Sequence, residues 1–69
     1  MNHQFDGSLS EVLSLLTGAD LAHVTGSQIT IRKLWSTPDR QVGMGIDDSG
    51  RKLVFALSLA TGEGIARLV

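Results

Sequence analysis

The stretch VGMGIDDSGRKLVFAL, residues 42–57, places a short polar segment between two runs of apolar residues. Alternate residues of each run share one face of a strand: Val42, Met44 and Ile46 in the first run, and Leu53, Phe55 and Leu57 in the second. Between the runs, Asp47 is a typical first residue of a type I turn, and Gly50 suits the left-handed position that closes a bulged hairpin. The stretch therefore predicts a β-hairpin.

Two other interpretations of this glycine-rich stretch, a phosphate-binding loop and a metal site, are disfavoured by its context, and a metal-binding protein or small enzyme is the last alternative. A phosphate-binding loop runs from a strand into a helix, whose N-terminal N–H groups meet the phosphate, whereas a second strand follows here. Asp47 and Asp48 lack the spaced oxygen ligands of a calcium loop. The chain has no cysteine, and only His3 and His23 offer imidazole nitrogens to a metal. We therefore expect neither a metal nor a cofactor.

The segment SLSEVLSLLTG, residues 8–18, has the apolar spacing of an amphipathic helix. Its apolar residues fall at i, i+3, i+4 and i+7, namely at Leu9, Val12, Leu13 and Leu16. Ser8 and Glu11 fit a capping box, and Gly18 fits a helix stop. A helix over residues 8–17 is too short to persist alone in water. Its leucine face must therefore pack on the rest of the chain or on a partner.

The segments before the hairpin are predicted to be strands. Residues 20–25 fit a strand better than a second helix, because Thr25 and Gly26 then form a tight turn into a strand over residues 28–35. A short helix remains the alternative for the first of these segments. The alternation of the second strand slips from Lys33 to Trp35, which predicts a β-bulge there.

The C-terminal segment TGEGIARLV, residues 61–69, predicts a short helix after Thr61 with apolar contacts from Ile65, Leu68 and Val69. Because Gly62 and Gly64 weaken a helix, a last strand is the alternative. The predicted fold is thus α+β. It comprises an N-terminal amphipathic helix, a four-stranded antiparallel meander over 20–25, 28–35, 41–46 and 51–57, and a short C-terminal helix. Residues 1–7 are predicted to be a flexible terminus and residues 8–69 a single domain.

The composition is that of a small globular protein with little surplus stability. Of its 69 residues 42% are hydrophobic, the formal net charge is −1, and there is no cysteine to form a disulfide. Domains of this size bury only about 60% of the surface that the unfolded chain exposes, so we expect a homodimer. No apolar run approaches the roughly 20 residues that span a membrane. The N-terminus MNHQFDGSL lacks the pattern of a signal peptide, which favours a cytoplasmic location.

One face of the predicted hairpin is expected to be flat, because it carries only small side chains. Glycine in a strand often marks the close approach of another backbone or of a ligand, and the candidates are the chain's own helix and a second subunit. The predicted dimer interface comprises Leu9, Val12, Leu13 and Leu16 of the helix, and Gly43, Gly45, Val54 and Ala56 of the sheet.

Three short matches between residues 26 and 47 follow one family pattern: Ile29-Thr30-Ile31, Gln41-Val42, and Met44 with Gly45-Ile46-Asp47. In these residues the chain resembles the carbon storage regulator family of bacterial RNA-binding proteins. The resemblance implies a homodimer of interleaved five-stranded subunits that binds GGA-containing messenger leaders and blocks translation. Extending the match places Thr17 and Gly18 at the family's paired arginines, and Leu57 or Gly62 at its last arginine. The resemblance thus implies the fold and the dimer without the RNA-binding arginines.

Catalysis is the least favoured class of function for this chain. His3 and His23 lie far apart, and no nucleophile has a neighbouring base in a familiar spacing. His23 lies in an apolar stretch and is expected to be a half-buried strand residue. We therefore predict that the protein is not an enzyme.

Two kinds of binding remain. Single-stranded RNA would suit a basic surface with one stacking aromatic side chain, and the candidates are Arg32, Lys33, Trp35, Arg40, Arg51 and Lys52. Binding to a protein partner is favoured, because an apolar helix face and exposed strand edges on so small a chain need a cover. The leading prediction is a small regulatory or accessory protein that acts by binding another protein.

Overall fold

The computed structural model describes residues 7–18 and 20–69. The prediction of a flexible terminus over residues 1–7 falls, except for Gly7, outside these residues. The described part of the chain contains the helix α1 (Leu9–Leu15), the strand β1 (Ala22–Thr25), a 3₁₀ turn (Gly26–Gln28), and the strands β2 (Thr30–Ser36), β3 (Arg40–Ile46), β4 (Lys52–Ser58) and β5 (Glu63–Leu68).

The five strands form one antiparallel sheet in the order β1-β5-β4-β3-β2. Strands β2, β3 and β4 each pair with the next strand along the chain, whereas β1 pairs with β5. The strand β1 covers residues 22–25 of the strand predicted over 20–25. The chain therefore crosses from one edge of the sheet to the other between β1 and β2. As edge strands, β1 and β2 each have one side without a strand partner in the described part of the chain.

The predicted four-stranded meander with a C-terminal helix is wrong. The segment predicted to be helical forms β5, which pairs with β4 on one side and β1 on the other. Ile65 packs on the side of the sheet that faces α1 and Ala66 on the opposite side, which is the alternation of a strand. Gly62 has a φ of 73° in the preceding turn. Pairing on both sides satisfies the backbone of β5, whereas a very short helix with two glycines is unstable.

The predicted tight turn between β1 and β2 is also wrong. Gly26–Gln28 form a 3₁₀ turn that starts the crossing to the far edge. The backbone N–H of Thr25 donates to Gln28 Oε1 at 2.8 Å, and the N–H of Gly26 donates to the Gly62 carbonyl at 3.0 Å. The crossing segment then buries Ile29 on the sheet. The prediction failed because a polar connection that contains glycine can join strands at opposite edges of a sheet as well as neighbouring strands.

The helix α1 begins after Ser8, whose hydroxyl accepts the backbone N–H of Glu11 at 3.2 Å, as predicted for an N-cap. It covers residues 9–15, whereas 8–17 was predicted. Val12 points into the sheet and is fully buried. The helix was predicted to need a surface to pack on, and the sheet of the same chain provides it.

The C-terminal end of α1 is tied to the sheet by Arg67. This β5 residue donates from Nη1 to the Leu15 carbonyl at 3.4 Å. The last carbonyl groups of a helix lack partners within it, and a cation is favourable at that end. Arg67 therefore has a structural role that the sequence reasoning missed.

Apolar side chains cover both faces of the sheet, and β4 contributes to both because its residues alternate. The cluster on the α1 side consists of Val12, Leu16, Val42 and Val54, with Leu15, Leu21, Trp35, Met44, Ala56 and Ile65 packed against it. The cluster on the opposite side consists of Ile29, Leu53, Phe55, Leu57 and Ala66, with Val24 packed against it. We call the two sides of the sheet the helix face and the crossing face. The core is thus divided into two thin layers.

Gly43 and Gly45 were predicted to share a face with Val54 and Ala56, and this prediction is wrong. The register between β3 and β4 sets Gly43 directly opposite Phe55, and residues directly opposite in antiparallel strands share a face. The glycines therefore lie on the crossing face, and the other two residues lie on the helix face. Alternation predicts the faces within one strand but not the register between two strands.

The close backbone approach predicted at the glycines is confirmed, but the approaching strand belongs to the same chain. A Cβ atom on Gly43 would collide with the Lys33 carbonyl oxygen and would lie 3.0 Å from Phe55 Cζ. A Cβ atom on Gly45 would collide with the Thr30 carbonyl oxygen. These glycines allow β2 to lie close over β3.

A β-bulge in β2 decides which of its side chains face which way. The register with β3 shifts between Ile31 and Lys33, so that Arg32 is the extra residue. The predicted bulge is therefore present, slightly earlier in the chain than expected. As a result Ile31 and Leu34 both lie on the crossing face, whereas Lys33 and Trp35 lie on the helix face.

The turn predicted at Asp47–Gly50 is confirmed. Gly50, with a φ of 82°, donates its N–H to the Asp47 carbonyl at 3.0 Å. The Asp47 carboxylate accepts the backbone N–H groups of Ser49 and Arg51, both at 2.9 Å, and Arg51 Nε at 3.0 Å. The polar residues of this stretch thus serve the turn itself.

This bonding predicts an acid-sensitive contribution to stability. The backbone N–H of Arg51, followed by the N–H of Ser49 and the Arg51 charge, holds the pKa of Asp47 below its ordinary value of 3.8. Since the folded pKa is below the unfolded one, ionised Asp47 stabilises the fold fully above about pH 4 and loses this effect as the pH falls through the folded pKa. We expect Asp47→Asn to be less stable than the wild type at neutral pH and to lose less stability in acid.

Thermal unfolding followed by circular dichroism between neutral pH and about pH 2.5 checks this prediction. The matched control is Asp48→Asn, because the Asp48 carboxylate forms no hydrogen bond with residues 7–18 or 20–69. If the melting temperatures of the wild type and Asp47→Asn fell by the same amount between neutral pH and about pH 2.5, the role assigned to Asp47 would be contradicted.

Candidate interaction surface

A groove of about 360 Å³ lies between α1 and the ends of β2 and β3 that adjoin the 37–39 loop. Its apolar walls are Leu9 and Leu13 of α1, Trp35 of β2 and Val42 of β3. Leu9 and Leu13 lie one helical turn apart and are 36% and 45% exposed. We call this surface the α1 groove. Two residues of the predicted interface, Leu9 and Leu13, line it.

Thr37, Asp39 and Arg40 form the polar end of the α1 groove. The Thr37 hydroxyl donates to Asp39 Oδ1 at 2.9 Å and accepts the backbone N–H of Arg40 at 3.2 Å. The Arg40 guanidinium forms no ion pair within the described ranges, 7–18 and 20–69. The polar end of the α1 groove therefore carries one acidic and one basic residue.

Lys33 links the segment before α1 to the sheet. Its Nζ donates to the Gly7 carbonyl at 3.1 Å and lies 5.1 Å from the centroid of the Trp35 ring. A cation over an aromatic face at this distance contributes about 0.5–1 kcal/mol at an exposed site. The half-buried Trp35 thus has a cation on its ring and lines the α1 groove.

The free edge of β2 is a second exposed surface. Six of its seven residues are exposed, and Trp35 is the half-buried one. Ile31 and Leu34 are 42% and 41% exposed on the crossing face, where their β3 neighbours Gly45 and Gly43 have no side chains to cover them. An edge strand with uncovered apolar side chains is an accessible template for pairing.

A smaller groove of about 300 Å³ lies on the crossing face beside the 47–51 turn. Ile29, Leu53 and Ala66 line it, and Asp47 and Arg51 form part of its rim. These two charges are bonded to each other, Nε to Oδ2 at 3.0 Å. The pair therefore has little free charge to offer a ligand.

Of the eight residues predicted to form the interface, Leu9 and Leu13 keep a large exposed fraction. The others pack within the chain: Val12, Leu16, Gly43, Gly45 and Val54 are buried, and Ala56 packs against the helix-face cluster. Half of the predicted apolar helix face, Val12 and Leu16, thus holds α1 on the sheet. The dimer interface itself stays a prediction.

The structure brings together three of the six predicted RNA-binding residues. Lys33, Trp35 and Arg40 lie at or beside the α1 groove. Arg51 is paired with Asp47 at the opposite end of the hairpin, and Lys52 opens β4 beside it. Arg32 is exposed at the bulge in β2.

The prediction that His23 is half-buried is wrong. Its side chain is 70% exposed, and its Nε2 lies 3.6 Å from Glu63 Oε1. The reason is that β1 is an edge strand, so the apolar stretch around His23 has neighbours on one side only. In residues 7–18 and 20–69, no three histidine, aspartate or glutamate side chains come together as metal ligands would.

The sequence reasoning missed Ile31 and Leu34 as surface residues. Simple alternation puts residues three apart on opposite faces of a strand, and the bulge at Arg32 brings these two onto the same face. The slip in the apolar pattern near Lys33 was the signal that would have found them.

Comparison with protein-family models, curated proteins and solved structures found no significant match to this chain. The fold itself defines the class: a small, compact α+β domain with one helix on a five-stranded antiparallel sheet. None of the helices in the described residues has the length and apolar character needed to span a membrane. The resemblance to the carbon storage regulator family remains a hypothesis.

Proposed function

We propose that this protein is a small, non-enzymatic regulatory or accessory protein that works as a homodimer and binds a protein partner. The observation that carries the proposal is uncovered apolar surface. Among residues 7–18 and 20–69, seven large apolar side chains are between 36% and 50% exposed, namely Leu9, Leu13, Ile31, Leu34, Leu59, Leu68 and Val69. Scattered apolar residues are normal on a surface, but grouped ones mark interaction sites. Two groups exist here, the α1 groove and the β2 edge.

A second copy of the chain is the proposed occupant of the α1 groove. In a two-fold interface the same patch meets itself, so each feature needs its complement within that patch. The α1 groove supplies both halves: the exposed Leu13 beside an apolar cavity, and Asp39 beside Arg40. Each copy can thus place its Leu13 in the apolar cavity of the other copy, and each Asp39 can pair with the partner's Arg40.

Light scattering at micromolar concentration tests the dimer. We expect the wild type to have the mass of two chains and Leu9→Glu with Leu13→Glu to have the mass of one, because carboxylates would be buried without partners. Leu59→Glu is the matched control, since Leu59 is 48% exposed and does not line the α1 groove. A wild type that remains folded and monomeric would refute the proposed self-association.

A charge exchange tests the assignment of the groove. Asp39→Arg alone and Arg40→Asp alone should each weaken the dimer about tenfold or more, because each sets like charges together twice in a two-fold interface. The double variant Asp39→Arg with Arg40→Asp should recover most of the affinity. Additive weakening in the double variant would show that the two side chains do not meet across the interface.

Binding of single-stranded RNA is the second candidate, favoured by the cation over Trp35 and the nearby Arg40. If it is correct, a labelled RNA of mixed sequence should bind with an affinity that falls as salt rises. Lys33→Ala with Arg40→Ala should reduce the slope of the logarithm of affinity against that of salt by about 1–2. The control is Arg51→Ala, because Arg51 is paired with Asp47. Fluorescence anisotropy measures this, and no binding at low salt removes the candidate.

A further inference from the structure

We infer that the free edge of β2 binds an extended segment of another protein in which apolar and acidic residues alternate. This inference rests on the proposed function, since it names the chemistry of the partner and the strand that receives it. The site lies beside the α1 groove, where the second copy is placed, and the two surfaces share Trp35.

The backbone of β2 can accept another strand. Its far side has no strand partner within residues 7–18 and 20–69, although the strand runs from Thr30 to Ser36. The backbone N–H and C=O groups on that side are open to hydrogen bonding with an added strand, which is the mode known as β-augmentation. A peptide bound in this way would extend the sheet to six strands.

Apolar side chains flank this edge on both faces. Ile31 and Leu34 lie on the crossing face without cover from the β3 glycines, and Trp35 lies on the helix face. In an added strand, side chains alternate between the two faces. In a segment of alternating apolar and acidic residues, the apolar ones would lie on the crossing face with Ile31 and Leu34 and add affinity to the backbone hydrogen bonds. The acidic ones would then lie on the helix face with Lys33.

The charge of β2 selects the partner. The strand carries Arg32 and Lys33 and no acid, and Arg32 forms no ion pair within the described residues. Like charges directly opposite each other in paired strands are destabilising, and opposite charges are stabilising. Acidic residues in the incoming segment would therefore be favoured.

The same charges argue against a second copy at this edge. An antiparallel pairing of two β2 strands about their centre would bring the Arg32 and Lys33 side chains of both copies together. Lysine on an edge strand is a common device against such self-pairing. The edge thus suits an acidic partner segment rather than its own copy.

The other free edge is less suited to this role. The strand β1 covers only four residues, Ala22–Thr25. Its exposed His23 already lies near Glu63, and no large apolar side chain of β1 is exposed. Strand addition is therefore assigned to β2.

Selection from a phage-displayed library of short random peptides against the purified protein tests the inference. We expect enriched peptides in which apolar residues alternate with aspartate or glutamate. The consensus peptide is then synthesised, together with a version that has lysine at each acidic position. Trp35 is the single tryptophan of the chain, so its fluorescence is the binding signal, and the variants and hydrogen exchange below distinguish the β2 edge from the α1 groove. The acidic peptide should bind at least about tenfold more tightly than the lysine version, which corresponds to about 1.4 kcal/mol.

Variants and hydrogen exchange then locate the site. Amides of residues 30–36 should exchange more slowly with the acidic peptide bound, and Leu34→Lys or Arg32→Glu should weaken binding about tenfold or more. Leu59→Lys is the control, because Leu59 is exposed outside this edge. Enrichment of basic or featureless peptides, protection at β1 instead of β2, or full affinity of Leu34→Lys would each overturn the inference.

The two proposals fail separately. If the wild type dimerises through the α1 groove but no acidic peptide is enriched, this inference falls and the proposed self-association stands. If the acidic peptide binds β2 of a monomeric chain, the inference stands and the homodimer falls.

Discussion

A Gly64→Ala variant is expected to lose about 3 kcal/mol or more of unfolding free energy, which would leave so small a domain largely unfolded. Gly64 lies in β5, opposite Leu57 of β4. A Cβ atom at this position would collide with the Ala56 carbonyl oxygen and lie 2.8 Å from both the Ala56 carbonyl carbon and Leu57 Cα. All three are backbone atoms of a paired central strand. They cannot yield as the tip of a flexible side chain can, so the strands must separate.

Urea and thermal unfolding measure this loss. For a domain of this size about 3 kcal/mol lowers the melting temperature by roughly 12 °C or more. Gly62→Asn is the matched control, because Gly62 has a φ of 73° and no other group within 4 Å of its added Cβ, and asparagine tolerates that conformation. A Gly64→Ala variant as stable as Gly62→Asn would mean that β4 and β5 do not approach so closely.

A Phe55→Ala variant is expected to lose about 3–5 kcal/mol, because it removes the largest fully buried side chain of the crossing face. Phe55 is packed with Ile29, Leu53 and Leu57. Its ring also lies against the space above Gly43, where a Cβ atom would be 3.0 Å from Phe55 Cζ. The cavity left by alanine is bordered by paired strands and cannot collapse easily. The measured loss of unfolding free energy should therefore include the whole contribution of the cavity.

Phe55→Leu shows whether the loss of stability in Phe55→Ala comes from the volume of the side chain that is removed. It keeps an apolar side chain and should cost about 1.5 kcal/mol or less. Leu59→Ala, a change at an exposed site, should cost about 0.5 kcal/mol or less. Circular dichroism with urea titration compares the three variants. Phe55→Ala as stable as Leu59→Ala would contradict the assignment of Phe55 to the core.

Both predictions depend on the crossing face, on which no α-helix of residues 7–18 or 20–69 lies. Its cover is the segment between β1 and β2, which contributes Ile29. Loss of this layer would also release β2, the strand to which the partner segment is assigned. Stability and binding should therefore be coupled at β2, and peptide binding should raise the melting temperature of the wild type.

Much of the local structure could be predicted from short-range chemistry. The Ser8 hydroxyl caps α1 as its spacing with Glu11 indicates, and Asp47 and Gly50 form the turn of the central hairpin as their residue types require. The candidate site was predicted in part, since Leu9 and Leu13 remain exposed. Hydrogen bonds between near neighbours and the alternation within a strand depend only on residues close in sequence.

Strand order, register and the exposed surface were decided by the tertiary structure. The sequence alone determined where the chain turns and which residues alternate, but β1 paired with β5 rather than with β2, and the C-terminal segment became a strand because β4 and β1 lie on either side of it. The register set Gly43 opposite Phe55, and the bulge set Ile31 and Leu34 on one face. These outcomes follow from contacts between segments far apart in the chain, where the close approach of whole backbones outweighs the preference of any single residue.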